Sequence, residues 1–263
     1  MKSPSETLLA SQHGHVLKLV FNRPDRLNAL NRDMQGALEH MFRAANDDPS
    51  VRAIVITGTG RAFSSGADVS GLQDAASGPD GADPAKMNVP KFTNRQCGIF
   101  KPTICAVNGV CAGAGLHFVA DSDIVICSDN ASFVDTHVNV GQVTALEPIG
   151  LMRRSPLGAV LRMVILGKAE RLSAEQALKF NLVSEVTSPD ALVDRAMQLG
   201  DIASSVSPMS VQRSLKAIWE AFEHPLAAAY DNGFDILIRH RSHPDALEGT
   251  TAFIEKREPK WTV

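Results

Sequence analysis

The sequence lacks the features of a nucleic-acid-binding or membrane-spanning protein. Its 26 lysines and arginines are outnumbered by 29 aspartates and glutamates, so the formal net charge is -3 at pH 7. No overall basic field is therefore present to attract nucleic acid. No apolar run approaches the roughly 18 residues that a membrane helix requires. The first residues also lack the long apolar stretch of a signal peptide, and we expect a cytoplasmic protein with no membrane partner.

Cysteine is scarce, and its spacing excludes the common metal motifs. The four cysteines, Cys97, Cys105, Cys111 and Cys127, have no C-x-x-C spacing. Histidines at regular spacing beside them, which a zinc site would need, are also missing. The sequence thus predicts reduced core thiols, as in a cytosolic protein, and no metal site.

Short apolar segments alternate with amphipathic ones over the first two thirds of the chain. Strands are predicted at residues 15–21, 52–57, 103–107, 124–127 and 131–134, and helices at residues 31–45 and 90–100. This alternation indicates a parallel sheet wound by crossovers, which places the protein in the α/β class. Residues 72–89 are rich in Gly, Pro and Asp; they are predicted as a surface loop, which beside a site would serve as a lid.

The last third of the chain is helical in pattern. Helices are predicted at residues 189–204, 208–222, 225–241 and 245–257. Two serine–proline pairs, Ser188-Pro189 and Ser207-Pro208, have the form of an N-cap followed by proline at the first helical position. We therefore divide the chain into an α/β core, residues 1–190, and a C-terminal helical region, residues 191–263.

The most informative stretch is residues 101–123. An apolar run at 103–107 meets a glycine-rich turn at 108–115, and a second apolar run follows at 116–120. The pattern predicts a buried strand, a tight loop and the start of a helix. Backbone N–H groups at a helix start have no intrahelical acceptor, and small residues let a ligand approach the main chain. The loop is therefore suited to holding a negatively charged oxygen.

A second glycine-rich turn, Gly66-Ala67-Asp68, follows the predicted strand at 52–57. Two backbone N–H groups that converge from separate strand ends form an oxyanion hole. Glycine-rich turns also bind dinucleotides, but residues 113–118 lack the third small residue of that motif. A dinucleotide-binding function is therefore disfavoured.

A set of motifs that spans nearly the whole chain resembles the crotonase (enoyl-CoA hydratase/isomerase) superfamily. The motifs are Asn22-Arg23-Pro24, Asn28-Ala29-Leu30, AFSSGAD at residues 62–68, Lys101-Pro102, Ala106-Val107-Asn108-Gly109, Gly113-Ala114-Gly115, Gly167-Lys168, Ala174-Glu175-Gln176-Ala177 and AFIEKREP at residues 252–259. They occur in the order in which the family has them, which makes the resemblance highly specific.

The resemblance implies a crotonase-like ββα spiral core with a C-terminal helical trimerisation region, assembled as a homotrimer or a dimer of trimers. The implied substrate is an acyl-CoA thioester, with no other cofactor. Its carbonyl would become an enolate held by the backbone N–H groups of Ala67 and Ala114; the second family position is usually glycine, and alanine keeps the N–H. The residues implied to bind coenzyme A or substrate are Arg26, Leu27, Ser65, Ala67, Asp68, Val69, Gly113 and Lys256, with Arg23 as a further phosphate partner.

The sequence departs from the family at the catalytic positions. Hydratases of the family use two glutamates, and the corresponding positions here are His117 and His137. Histidine titrates near pH ~6.5 and exchanges protons at neutral pH. A carboxylate only accepts hydrogen bonds, whereas a neutral imidazole has one donor and one acceptor, so the number of protons held in the site changes. Glu147 is the best candidate for the missing carboxylate; Asp135, predicted to share a strand face with His137, is another.

Three functions remain open on this evidence. The first is an enoyl-CoA hydratase-like lyase that acts through a stabilised thioester enolate. The second is another reaction of the superfamily, namely isomerisation, thioester hydrolysis or decarboxylation, carried by His117, His137 or Glu147. The third is a non-catalytic protein that binds acyl-CoA.

Overall fold

The computed structural model describes residues 1–68 and 91–262. Their strands are β1 (Leu8–His13), β2 (Val16–Phe21), β3 (Ala53–Gly58), β4 (Ala62–Ser64), β5 (Thr103–Val107), β6 (Val110–Ala112), β7 (Ile124–Ser128), β8 (Ser132–Val134), β9 (Leu172–Ser173) and β10 (Glu185–Thr187). Their α-helices are α1 (Arg32–Asp47), α2 (Leu116–Asp121), α3 (Leu146–Leu151), α4 (Leu157–Leu166), α5 (Ala174–Lys179), α6 (Leu192–Ser205), α7 (Pro208–Glu220), α8 (Leu226–His240) and α9 (Pro244–Glu255).

The strands form two sheets, and the chain passes repeatedly from one sheet to the other. The larger sheet has the order β1-β2-β3-β5-β7-β10, in which β1 is antiparallel to β2 and the remaining neighbours are parallel. The smaller sheet has the order β4-β6-β8-β9. The pairs β3–β4, β5–β6 and β7–β8 each give one strand to each sheet, so the chain winds as a spiral. The α/β architecture with crossovers predicted from the sequence is confirmed.

Three phenylalanine rings lock the two sheets to the helix that follows the glycine-rich turn. Phe21 on β2, Phe63 on β4 and Phe118 on α2 are fully buried, with ring centroids 4.9–5.9 Å apart. Such aromatic pairs contribute about 0.5–1.5 kcal/mol each beyond their buried area. The cluster therefore fixes α2, and with it the turn at residues 113–115, against both sheets.

Lys101 explains part of the motif that precedes β5. Its ammonium group is buried and donates hydrogen bonds to the carbonyl oxygens of Ala45, at 2.6 Å, and Asp48, at 2.8 Å. These carbonyls lie at the C-terminal end of α1, where the last turn lacks intrahelical donors. Burial lowers the pKa of Lys101. This side chain therefore serves the fold by joining α1 to the start of β5.

The structure differs from the sequence predictions at several places. The short strands β4, β6, β9 and β10 were not predicted, and β6 lies within the predicted turn at residues 108–115. β1 was not predicted, because only Leu8 of this edge strand is fully buried and its pattern is correspondingly weak. Residues 93–98 form turns rather than a helix, since the Gln96 side chain accepts hydrogen bonds from the backbone N–H groups of Phe92 and Thr93. α6 begins at Leu192, after a turn closed by a bond from Ala191 N–H to the Ser188 carbonyl.

Of the two predicted serine–proline caps, Ser188-Pro189 is wrong, because the helix starts only at Leu192, and Ser207-Pro208 is confirmed. Ser207 caps α7, with its hydroxyl accepting from the N–H of Ser210, and Pro208 is the first helical residue. Ser173 and Gln176 form a capping box at the start of α5. Residues 72–89, the predicted surface loop, lie outside the described residues. Within the described ranges, no helix is long and apolar enough to cross a membrane.

Candidate active site

The two glycine-rich turns meet at the end of the strands. Gly66 has φ +102°, and a Cβ atom placed on it would lie 3.1 Å from the carbonyl oxygen of Ala112 and 3.5 Å from the backbone nitrogen of Ala114. A side chain at position 66 would therefore be strained by the positive φ and crowded against the second turn. Glycine is required here so that the two backbones can approach each other.

The backbone N–H of Ala67 faces away from its neighbouring strand segment. Leu30 and Ala67 form an isolated parallel β-bridge. The Leu30 N–H donates to the Gly66 carbonyl at 2.8 Å, and the Asp68 N–H donates to the Leu30 carbonyl at 3.2 Å. Since successive amides of an extended chain point in opposite directions, the Ala67 N–H points to the side opposite Leu30. It is thus available to a ligand.

The N–H of Ala114 lies in the first turn of helical structure after β6. Residues Gly113–Gly115 form a 3-10 turn that continues directly into α2, and Gly113 has φ +47°. The first N–H groups of such a segment have no intrahelical acceptor. Ala67 and Ala114 are both half-buried. The structure therefore brings the two predicted oxyanion donors to adjacent turns.

His137 lies against the second of these turns and is held by Asp135. Its Nδ1–H donates to Asp135 Oδ1 at 2.9 Å, and its backbone N–H donates to the same oxygen at 3.0 Å. Thr144 Oγ1 donates to the other oxygen of Asp135 at 2.7 Å. A Cβ on Gly113 would lie 3.5 Å from His137 Cε1, so the imidazole touches the turn itself. His137 thus presents Nε2 beside the predicted oxyanion site.

Asp135 adopts a different geometry from the one predicted. β8 ends at Val134, so Asp135 and His137 are not alternate residues of one strand. His137 instead opens a 3-10 turn, and the fully buried carboxylate of Asp135 accepts bonds from both the backbone and the ring of His137. The two side chains meet through this turn and not through the two-residue repeat of a strand.

Glu147 lies between the two histidines. Its Oε1 atom is 3.3 Å from His117 Nε2 and 3.8 Å from His137 Nε2, and it belongs to the first turn of α3. Both Glu147 and His117 are buried, at 6% and 7% exposure, whereas the His137 side chain is 25% exposed. The structure therefore joins the three predicted catalytic residues into one cluster, with His137 as its more open member.

The environment sets the charge of this cluster. The hydrogen bond to Asp135 raises the pKa of His137. Burial opposes this rise, and the negative charges of Asp135 and Glu147 add to it, so the pKa lies above its ordinary value. Burial alone would raise the pKa of Glu147, but the hydrogen bond with His117 leads the effects that hold it below its ordinary value. At neutral pH the site therefore holds an ionised Glu147 beside an imidazole that is stabilised in its protonated form.

His117 is oriented from the opposite side. The amide nitrogen of Gln96 lies 3.4 Å from His117 Nδ1, and the Phe92 ring meets the imidazole edge-on at 5.4 Å between centroids. An amide nitrogen can only donate, so Nδ1 accepts and Nε2 carries the proton that faces Glu147. His117 thus donates to the carboxylate, which remains an acceptor.

A cavity of about 300 Å³ opens behind His117. Its walls come from α2, α3, the turns at residues 95–100 and the C-terminal end of α7. The lining residues include Phe100, His117, Leu146, Ile149, Arg153 and Trp219. Gln96, Arg95 and Trp219 were not identified from the sequence, because they reach this site through contacts between distant segments that no local pattern reveals.

The segment predicted to bind coenzyme A lies beside the glycine-rich turn at residues 66–68. The Ser65 N–H donates to the Leu27 carbonyl at 2.9 Å, and the Ser65 hydroxyl donates to the Arg26 carbonyl at 3.4 Å. Leu27 has φ +50°, and the Arg26 side chain is exposed. Arg26, Leu27 and Ser65 therefore form one continuous strip that leads to Ala67.

The other predicted binding residues have different placements. Arg23 forms an ion pair with Asp68 at 2.8 Å and donates to the Ala29 carbonyl, so this pair ties the first turn to the loop after β2. Lys256 is exposed and ends α9 in a left-handed conformation, with its N–H bonded within that helix. Val69 lies outside the described residues. In the described ranges, no cluster of His, Cys, Asp and Glu has a geometry that would hold a metal ion.

Comparison with known proteins agrees with this architecture. The family model described as enoyl-CoA hydratase/isomerase matches residues 11–263. A 1,2-epoxyphenylacetyl-CoA isomerase of Escherichia coli is 31% identical, and a carnitinyl-CoA dehydratase of Proteus mirabilis is 32% identical, each over 98% of both chains. The crystal structure of an enoyl-CoA hydratase/isomerase from Mycobacterium paratuberculosis superposes with a TM-score of 0.88 at 38% identity, over 98% of both chains. The chain therefore belongs to the enoyl-CoA hydratase/isomerase family, the crotonase superfamily of acyl-CoA-processing enzymes.

Proposed function

We propose that this enzyme adds water reversibly across the α,β double bond of a 2-enoyl-CoA, as a hydratase-like lyase. The observation that carries the proposal is the meeting of three elements at one place. These are the turns of Ala67 and Ala114, the Asp135-held imidazole of His137 and the buried carboxylate of Glu147. Two N–H donors beside an acid and a base are what enolate chemistry on a thioester requires.

In the proposed reaction the thioester oxygen accepts hydrogen bonds from the N–H groups of Ala67 and Ala114. Glu147 takes a proton from water, whose oxygen bonds to the β-carbon, and the electron pair of the double bond moves to give the enolate. His137 Nε2–H then delivers its proton to the α-carbon as the enolate collapses. The cycle is reset when the proton on Glu147 passes to His137 Nε2, 3.8 Å away in the free enzyme.

His117 has a positioning role in this mechanism. Its Nε2–H holds Oε1 of Glu147 at 3.3 Å, and Gln96 selects the tautomer that makes this possible. A donor on one side of the carboxylate keeps it ionised and aims its remaining lone pairs at the water. One of the two histidines at the family's glutamate positions therefore supports the base, and the other serves as the acid.

Isomerisation of a double bond is the second candidate, and one observation favours it. A single oxygen of Glu147 lies near both imidazoles, so one carboxylate could carry a proton from one carbon to another without recruiting water. The relative from Escherichia coli bears the name of an isomerase and the one from Proteus mirabilis that of a dehydratase. Both reactions use the same enolate and differ in where the proton is placed.

The proposal extends to binding and assembly. Arg26 and Lys256 are proposed to contact the phosphates of coenzyme A, with Leu27, Ser65, Asp68, Val69 and Gly113 along its path. We also propose a homotrimer or a dimer of trimers, formed through the helical region at residues 191–263. Its helices expose large apolar side chains in this single chain, namely Leu226, Tyr230, Phe234, Leu237, Leu247, Phe253 and Ile254. The four free thiols support a cytoplasmic location.

The test is an assay with crotonyl-CoA and longer 2-enoyl-CoA esters. We expect loss of the conjugated enoyl absorbance without release of free thiol. Thiol release would indicate hydrolysis, and movement of the double bond without uptake of water would favour isomerisation. Tight binding with no turnover of any ester would contradict the proposal and would support a non-catalytic acyl-CoA-binding protein.

The pH dependence of the reaction follows from the assigned roles. The acid must be protonated, and the pKa of His137 is raised above 6.5, so kcat/KM for hydration should fall as the pH rises through that higher value. On the acid side the base is lost as Glu147 becomes protonated, below its ordinary 4.5 because its pKa is lowered. Initial rates measured across this range test both limbs.

A matched variant identifies the group behind the alkaline limb. Asp135→Asn removes the carboxylate that stabilises the imidazolium, so the alkaline limb should move to lower pH. A wild-type rate that instead rises through neutral pH would show that His137 acts as a base and would reverse its role.

A further inference from the structure

The cavity behind His117 adjoins the residues proposed to transfer protons. The imidazole of His117 forms part of its wall and also donates to Glu147 at 3.3 Å. Leu146 and Gly150, which lie on the same short helix as Glu147, line it as well. A substituent on the carbons proposed to react beside Glu147 could therefore extend into this cavity.

Trp219 forms the wall of the cavity opposite His117. We call Trp219 and the residues that hold it, namely Asp123, Arg95 and Phe100, the latch. The indole N–H of Trp219 donates to Asp123 Oδ1 at 2.8 Å. The guanidinium of Arg95 forms an ion pair with Asp123 and lies 4.7 Å from the Trp219 ring and 5.0 Å from the Phe100 ring. The side chains of Arg95 and Asp123 are only 10% and 9% exposed. Movement of Trp219 would remove its hydrogen bond to Asp123 and its contact with Arg95, and would leave the Asp123 carboxylate with one donor fewer, which is unfavourable.

The rim beyond the latch is charged. Arg153, Glu220 and Glu223 line the cavity together with the half-buried Asp121. An alkyl chain that passed over them would remove charges from water without returning any hydrogen bond, which is unfavourable. The latch and the rim therefore both oppose an extended hydrocarbon chain.

We propose that this cavity receives the acyl group and that Trp219 limits it to compact acyl groups. A volume of about 300 Å³ holds roughly ten water-sized groups, so the limit is on the order of ten non-hydrogen atoms. Long unbranched fatty-acyl chains are excluded. This inference rests on the proposed acyl-CoA substrate, and it adds which acyl groups are accepted and which residue decides.

The test measures the fluorescence of Trp219 when acyl-CoA esters bind. Trp219 and Trp261 are the two tryptophans, and Trp261 donates its indole N–H to the Ser205 carbonyl instead of lining the cavity. In Trp261→Phe, fluorescence therefore reports Trp219 alone. The probes are free CoA and the saturated esters hexanoyl-CoA and dodecanoyl-CoA. These esters have no double bond to hydrate, so binding is measured apart from the reaction.

We expect hexanoyl-CoA to change Trp219 emission, free CoA to leave it unchanged, and dodecanoyl-CoA to bind at least about tenfold more weakly than hexanoyl-CoA. In Trp219→Ala, calorimetry should give similar Kd values for the two esters. Trp219→Phe keeps an aromatic face over Arg95, loses the bond to Asp123 and should fall between the two. Its melting temperature shows whether the fold survives.

Two results would overturn the inference. One is dodecanoyl-CoA binding to the Trp261→Phe protein as tightly as hexanoyl-CoA. The other is Trp219 emission that ignores hexanoyl-CoA although calorimetry detects its binding. The proposed hydration is judged separately: a protein that discriminates acyl length but does not hydrate crotonyl-CoA fails only the proposed function. One that hydrates crotonyl-CoA without discriminating length fails only the inference.

Discussion

Glu147→Gln is expected to lower kcat for hydration by about 10²–10⁴-fold, the range that a positioned general base supplies. Glutamine preserves the volume of the side chain and can accept the hydrogen bond from His117 Nε2 at 3.3 Å, but it cannot take a proton from water. Substrate binding should change little, because the carboxylate is proposed to act on the water. Steady-state kinetics with crotonyl-CoA measure kcat and KM separately.

The chain offers a closely matched control for this substitution. Glu175 is the second residue of the six-residue helix α5, as Glu147 is of α3, but it is exposed. Glu175→Gln should leave kcat unchanged. A Glu147→Gln enzyme with near wild-type kcat would remove Glu147 from the reaction and would return the role of base to one of the histidines. Unaltered thermal unfolding would show that any loss in Glu147→Gln is chemical.

Ala114→Pro is expected to lower kcat by about 10²–10³-fold, the usual effect of removing one oxyanion donor. Proline has no backbone N–H, so the thioester oxygen would retain only the donor of Ala67. Proline is tolerated in a first helical turn, where Ala114 lies, and the preceding Gly113 has no Cβ to collide with the proline ring. The rate is measured at saturating substrate.

Ala114→Gly is the control for that experiment. It retains the N–H and supplies the residue that the family usually has, so kcat should stay close to that of the wild type. If folded Ala114→Pro protein kept its activity, the oxyanion would have to be held elsewhere. Near-UV circular dichroism and the melting temperature of both variants separate a lost donor from a disturbed turn.

Local sequence patterns predicted the strand at the centre of the site well. The uninterrupted apolar run at residues 103–107 became β5 with the same bounds, because a strand buried on both faces needs no alternation and glycine ends it. His117, His137 and Glu147 were predicted from the family resemblance and not from local patterns. Their meeting depends on the spiral, which carries α2, the turn after β8 and α3 to the same end of the sheets.

Other parts of the site could not have been predicted from local patterns. The hydrogen bond from Trp219 to Asp123 joins residues that are 96 positions apart. Gln96 reaches His117 from a segment whose pattern predicted a helix, where side chains instead bond the backbone and leave turns. Such contacts arise from tertiary packing that overrides local propensity.

The latch around Trp219 also bears on how enzymes with this architecture can diversify. The groups proposed to move protons lie in the segments before residue 150, whereas the latch side chain that closes the cavity is delivered by α7, from the C-terminal helical region. Exchange of a few residues on that helix would reshape the cavity without touching His137 or Glu147. Selection for a new acyl group can therefore act on one part of the chain while the chemistry is conserved in another.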